Sequence, residues 1–344
     1  MITAYCRQNG KVVAVPVTEC VPLPPDICWL DLHAPSDAER ALVSQAIDVD
    51  VLTRAEMEEI EASSRLYIEN DVLYLTTAIL VGAETEDPEL SDLTIIVSPQ
   101  HLVIEHFSDP KSVVIFAARA RRDPRLVDGV YNALLALLDA IADRTADGLE
   151  QTGRRVDQLS RRIFYRPETT EIKRRLQLRY GKRREDRRTT PTAARRLKDI
   201  LYDVGSTGDM LHRSYHSITG MIRMTAYLAQ VLPERLNAEQ LTLLHTLQSD
   251  LKSLHDHADF MIQETTFLLD ATLGQINNEQ NDIFRMLSMA SVLFMPSNLL
   301  VGFYGMNLNG LPGAHLNGWI WAVCGVMGLT GILPLFYFKR RGWW

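Results

Sequence analysis

From Met286 to Phe338 the chain carries no Asp, Glu, Lys or Arg: 53 consecutive residues in a protein of 344 whose charged residues make up 23% of the total. A hydrocarbon core of ~30 Å is crossed by roughly 20 apolar residues in helical form. The run is therefore long enough for two passes with a tight turn between them, whereas a soluble core helix rarely needs so long an uncharged stretch. The passes read as about Ile283 to Tyr304 and Gly318 to Phe338, separated by a loop over 305–317.

The flanks orient this hairpin. Arg285 sits at the start of the first pass, Lys339, Arg340 and Arg341 follow the second, and the loop has no Lys or Arg. Basic flanks stay on the cytoplasmic side, so both ends of the hairpin are expected inside and the loop outside. Trp319 and Trp321 suit an outer aromatic belt, and Tyr337, Trp343 and Trp344 an inner one. The opening residues Met1 to Cys6 show no charged-then-apolar leader, so roughly 280 residues are expected in the cytoplasm. Cys6, Cys20 and Cys28 lack zinc-finger spacing and Cys324 falls within the second pass, which suits free thiols in a reducing compartment.

The formal net charge of −7 conceals a partition. Residues 1–150 hold 11 basic and 26 acidic side chains, whereas residues 151–200 hold 17 basic and 6 acidic. The acidic part could draw cations by its summed field, although a solvated acidic surface is the simpler reading. The basic stretch, from Arg154 through Arg188, could meet nucleic acid or anionic lipid headgroups. Without aromatic interleaving or a nucleic-acid motif, a solvated face, or one paired with acidic groups of another subunit, accounts for it; no nucleic-acid partner is expected.

Along the chain, Lys11–Val17, Cys28–Leu32, Leu66–Glu69, Asp71–Val81, Leu93–Val97 and His101–Glu105 are strand-like. Ser36 with Glu39 forms a capping box opening a helix to about Ile47, and a second helix is expected near Thr53–Ile60. Residues 1–127 thus read as an α/β domain and 128–236 as a helical region with the basic segment. Val130–Ile141 opens a long helix toward Tyr165; Pro167 and Pro191 mark breaks. Between Pro233 and Pro296 there is no proline, and Leu244, Leu247, Leu251, Leu254, Ala258, Met261, Thr265 and Leu268 recur by threes and fours. That seam predicts one stalk helix over 237–304, roughly 100 Å long, running straight into the first pass (about 283–304). The remaining parts are the loop 305–317, the second pass 318–338 and a basic-aromatic tail 339–344. The fold class is an α/β cytoplasmic domain followed by long stalk helices and a two-helix C-terminal transmembrane hairpin.

On the first pass, Asn281, Ser288, Ser291 and Asn298 share one face, with Phe284 and Met295 filling the same heptad positions. An amide in hydrocarbon is costly without a partner or water, so this face meets protein or a water-filled lumen. Interhelical hydrogen bonding explains it equally well. A hairpin cannot enclose a pathway alone, so a pore requires several copies around an axis. The stripe has no carboxylate, thiolate or imidazole to seize a bare divalent ion; neutral amides and hydroxyls suit a hydrated one, and Mg²⁺ gives up water reluctantly. Leu287 and Met295 could form constrictions that open by wetting.

Tyr304-Gly305-Met306-Asn307, ending one membrane helix just before a final one, resembles the Gly-Met-Asn signature of the CorA family of divalent-cation transporters. Phe294 through Asn307, proline included, is similar to the family's first membrane helix, the ending Lys339–Trp344 to its tail, and Trp29–Pro35 with Glu39 to its cytoplasmic domain. The resemblance implies a funnel-shaped homopentamer in a bacterial-type inner membrane, both termini cytoplasmic. It implies an outer selectivity ring of Gly305, Met306 and Asn307, where Asn307 meets the cation through its water shell, and a pore line of Asn281, Phe284, Leu287, Ser291, Met295 and Asn298. The loop Asn307–Gly313 looks closer to the ZntB zinc branch than to magnesium members with an acidic loop, although that branch often carries Val where this chain has Met306. Zn²⁺ is therefore favoured as cargo over Mg²⁺. His315 could meet Zn²⁺ at the mouth, but a lone loop histidine is more often simply solvated.

His255 and Asp259 share a helical face and could form a regulatory metal site, with an exposed polar face as the plainer account. The rival readings are a Mg²⁺ (Co²⁺, Ni²⁺) channel gated by cytoplasmic metal binding and, from another class, a membrane-anchored coiled-coil scaffold that conducts nothing. With no nucleophile–base set, phosphate loop or catalytic metal motif, an enzyme is not expected, nor a cofactor beyond the transported cation; the partners expected are the lipid bilayer, divalent cations and further copies of the chain.

Overall fold

The computed structural model describes residues 1–17, 23–24, 26–59, 61–85, 88–164, 193–306 and 318–341. By its internal contacts the chain divides into two units, Met1–Asp186 with Lys198–Asp270, and Arg187–Leu197 with Ala271–Trp344.

The first unit is built on one seven-stranded sheet. Its strands are β1 (Ile2–Gln8), β2 (Lys11–Val17), β3 (Ile27–His33), β4 (Leu66–Glu69), β5 (Val72–Val81), β6 (Glu89–Val97) and β7 (Leu102–His106), in spatial order β2-β1-β3-β7-β6-β5-β4. Neighbouring strands run antiparallel except β3 and β7, which pair in parallel at the centre. A parallel pair needs a long crossover, and everything from α1 (Asp37–Ile47) to β6 lies between its two strands. On β5, Val72 through Ile79 are buried without a break, the signature of a strand covered on both faces.

Each face has its own core. On one, Leu30, Leu32, Tyr74, Ile96 and Val103 pack with Val43 of α1. On the other, Leu73, Leu75, Leu93, Ile95 and Ile104 pack against α2 (Lys111–Arg122), α3 (Val130–Phe164) and the facing ends of α4 (Ala193–Val231) and α5 (Ala238–Tyr304). Trp29 anchors this second core, fully buried, with its ring 4.1 Å from Tyr5 and 4.7 Å from Phe116. Phe116 comes from α2, a helix absent from the sequence-based expectation even though Val113, Phe116, Ala117 and Ala120 have helical spacing and all are buried.

The capping box forms as expected: Glu39 N donates to Ser36 Oγ at 3.2 Å and Ser36 N to Glu39 Oε2 at 2.9 Å. Ser36→Ala should lower stability by about 1 kcal/mol, measurable as a drop in the thermal midpoint of the full chain. The second expected helix shrinks to the single turn Arg54–Met57, capped by Thr53 and Glu56. Only Met57 of that turn is buried, and Glu58 and Glu59, which follow, offer nothing to bury.

One buried side chain violates the pattern. Glu105 on β7 faces α1 with 0% exposure, and neither carboxyl oxygen has a hydrogen-bond partner among the described residues. Its strand neighbours are Leu32 and Thr94, and Thr94 is already paired with Thr76, Oγ1 to Oγ1, at 2.9 Å. Burial pushes the carboxyl up to about 8, with Glu56 adding to the rise and Arg40 opposing it.

Helix α5 spans Ala238–Tyr304, as the proline-free run predicts. Of the expected seam, Leu244, Leu247, Leu251, Ala258, Met261, Thr265 and Leu268 are buried, and Leu254 is half-buried. The second unit holds the membrane part of α5 and the final helix α6 (Trp319–Arg340). The expected class therefore holds: an α/β domain, long helices, then two apolar C-terminal helices.

Candidate ion pathway in the membrane helices

Both α5 and α6 contain a window long and apolar enough to cross a membrane, and neither window buries a residue against the rest of the chain. Charge stops at the ends: Asp282 and Arg285 pair at 3.4 Å before the first apolar window, and Lys339, Arg340 and Arg341 close the second. The two apolar helices come together where the Tyr304 ring lies 5.5 Å from that of Trp319. Within α5, Pro296 has no N–H to give the carbonyl of Val292, leaving that oxygen without its helical donor.

At about 100° per residue, Asn281, Phe284, Leu287, Ser291, Met295 and Asn298 fall within an arc of roughly 120°. All six are exposed, Met295 to 67%. Ser291 Oγ donates to Leu287 O at 3.0 Å, so the hydroxyl leaves its lone pairs toward whatever lies outside the helix. The same arc continues back along the helix through Asn277 and Asp270, both exposed, which the sequence reading did not include. Their spacing, seven from Asp270 to Asn277 and four from Asn277 to Asn281, points to them, but they lie further from the uncharged run that marks the membrane pass.

The helix ends at the signature. Gly305 N donates to Val301 O at 2.8 Å, and Met306 N to Phe303 O at 3.4 Å. A β-carbon on Gly305 would lie 2.8 Å from that same Val301 oxygen, closer than a carbon can approach backbone, so this turn requires glycine. Asn307, His315 and Asn317 lie outside the described residues, as do Cys20, the basic residues from Arg166 to Arg188, and Trp343 and Trp344.

On the stalk, His255 leans against the Tyr215 ring at 4.5 Å, and Asp259 accepts a hydrogen bond from Gln263 at 2.8 Å. Among the described residues no three His, Cys, Asp or Glu side chains gather to hold a metal.

These features define a class: a protein with an α/β unit whose longest helix runs on into the first of two apolar helices and carries a neutral polar stripe. Residues 25–340 match the family described as CorA-like Mg2+ transporter protein. Magnesium transport protein CorA of Haemophilus ducreyi is 26% identical over 344 residues, covering 100% of both chains. Its namesake from Escherichia coli K12 is 27% identical over 346 residues with the same coverage. Among solved structures, the CorA magnesium transporter of Methanocaldococcus jannaschii superposes with a TM-score of 0.70 at 18% identity, over 100% of this chain and 99% of that one. The full-length CmaX protein gives 0.62 at 15%, over 99% and 97%. The chain belongs to the CorA-like family and is a membrane transporter of divalent cations, not an enzyme.

Proposed function

We propose that the chain carries Mg²⁺ across an inner membrane as a homopentamer with both termini cytoplasmic. The stripe Asn281, Phe284, Leu287, Ser291, Met295 and Asn298 lines the shared pathway, and Gly305, Met306 and Asn307 form its outer ring. The observation carrying this reading is the donor set: along the stripe every polar group is a neutral amide or hydroxyl. Such groups hydrogen-bond the water shell of an ion and cannot replace it, which suits a cation that, like Mg²⁺, dehydrates reluctantly. Five copies supply the enclosing wall that one exposed stripe lacks. Leu287 and Met295 are the apolar constrictions.

The zinc preference read from the loop gains no support: the full-length relatives are named for magnesium, and no site of the kind zinc prefers, nitrogen or sulfur donors at tetrahedral spacing, exists among the described residues. Uptake of Mg²⁺, Zn²⁺, Co²⁺ and Ni²⁺ into proteoliposomes, with and without a pH gradient, tests the assignment. Mg²⁺ uptake independent of the gradient is expected; transport of Zn²⁺ alone overturns it.

A further inference from the structure

Far from the stripe in sequence, Arg65, Thr77, His216, Thr219, Gly220 and Arg223 line a cavity of about 420 Å³ between the β4–β5 edge of the sheet and α4. His216, Gly220 and Arg223 follow one another at helical spacing and share a face of α4. No acidic residue lines the cavity. Arg65 is already committed, its Nη1 donating to Asp92 at 3.1 Å and its Nε to the Glu59 carbonyl at 2.6 Å. The side chains of His216 and Arg223 are exposed and make no hydrogen bond or ion pair with a described residue.

On the sheet side Thr77 is 2% exposed, and its Oγ1 has no hydrogen-bond partner among the described residues. Gly220 makes room for it: a β-carbon there would lie 2.4 Å from Thr77 Oγ1. Thr219 cannot substitute as donor, because its hydroxyl is given to Tyr215 O at 2.8 Å. Thr77 Oγ1 is closed off against Gly220, so the free donors at the cavity are the Arg223 guanidinium and the His216 imidazole on the helix wall. The larger cavity of about 610 Å³ beside α2 and α3 has Arg119 and Arg125, but Asp128, Asp139 and Glu239 line it too and cancel their field.

We propose that the α4 cavity binds a phosphate-bearing solute, its phosphoryl oxygens held by Arg223 and His216. A guanidinium fork matches phosphate oxygens in pairs, and the volume falls within the range of small-ligand sites, leaving space for an organic group on the phosphate. A soluble phosphate ester and a phospholipid headgroup share this chemistry.

Titration calorimetry of the full chain in a neutral maltoside detergent, with inorganic phosphate and with adenosine monophosphate, tests the site. Saturable binding is expected, weakened about tenfold or more by Arg223→Gln and by several-fold in His216→Gln, and unchanged by Arg122→Gln on the exposed face of α2. Binding found only with phosphatidylglycerol vesicles, absent from phosphatidylcholine ones and lost in Arg223→Gln, keeps the site and assigns it to a lipid headgroup. Equal affinity in the parent and in both cavity variants overturns the proposal, as does the absence of binding to every probe.

Discussion

Gly305→Ala is expected to cut Mg²⁺ flux into proteoliposomes by at least about tenfold at equal reconstituted protein, since forcing a carbon into a filled position costs on the order of 1–3 kcal/mol. The added methyl would sit 2.8 Å from the Val301 carbonyl oxygen, the very atom that accepts the Gly305 N–H at 2.8 Å. Relief requires moving backbone, because the clashing atom belongs to no side chain that could turn away. The last helical bond then opens, and Met306 with the residues after it is displaced from the mouth of the proposed pathway. Gly302, one turn earlier, has open space around its α-carbon, so Gly302→Ala provides the comparison, with flux retained within about twofold. Asn307→Ala is expected to abolish flux without disturbing the helix end. If Gly305→Ala and Asn307→Ala both transport at the parent rate, the proposed ring at 305–307 does not control the pathway.

The elements that the sequence disclosed are those whose stabilisation is local and repetitive. The hairpin follows from an uncharged run, and α5 from a proline-free stretch with an apolar residue every three or four positions; the helices run Ala238–Tyr304 and Trp319–Arg340. The capping box at Ser36 is likewise a contact between residues three apart. What stayed hidden depends on partners distant in the chain. The parallel pairing of β3 with β7 joins Leu30 to Val103, and no pattern within either strand announces it. Helix α2 was overlooked because its buried apolar residues are interleaved with Arg119, Arg121 and Arg122, so its mean character is polar. The cavity on α4 brings Thr77 against Gly220, two residues that carry no motif. The proposed pathway is an intermediate case: its spacing is visible in one chain, but its stripe is exposed there, and the proposed function needs other copies beside it.

Glu105→Gln should stabilise the protein above pH 7 and flatten its stability between pH 5 and 8. In the unfolded chain a glutamate titrates near ~4.3; in the folded protein burial pushes Glu105 up to about 8. Between these values the folded state holds a proton that the unfolded state has released, so stability falls as pH rises, by up to ~1.4 kcal/mol per unit. The contribution is fully present below about pH 4 and lost once pH passes about 8, where folding must bury a carboxylate with no donor on either oxygen. Arg40 offsets part of that penalty and Glu56 adds to it, but Arg40 is itself engaged with the Pro35 carbonyl at 3.3 Å and does not reach the carboxyl. Glutamine keeps the shape and removes the titration. Thermal midpoints of the full chain in detergent, taken from pH 4 to 9, should lie nearest each other for the two proteins at pH 4 and separate progressively above it, the variant being the more stable. Parallel curves would mean that the carboxyl finds a donor on ionising, and the buried-acid account of β7 would be wrong.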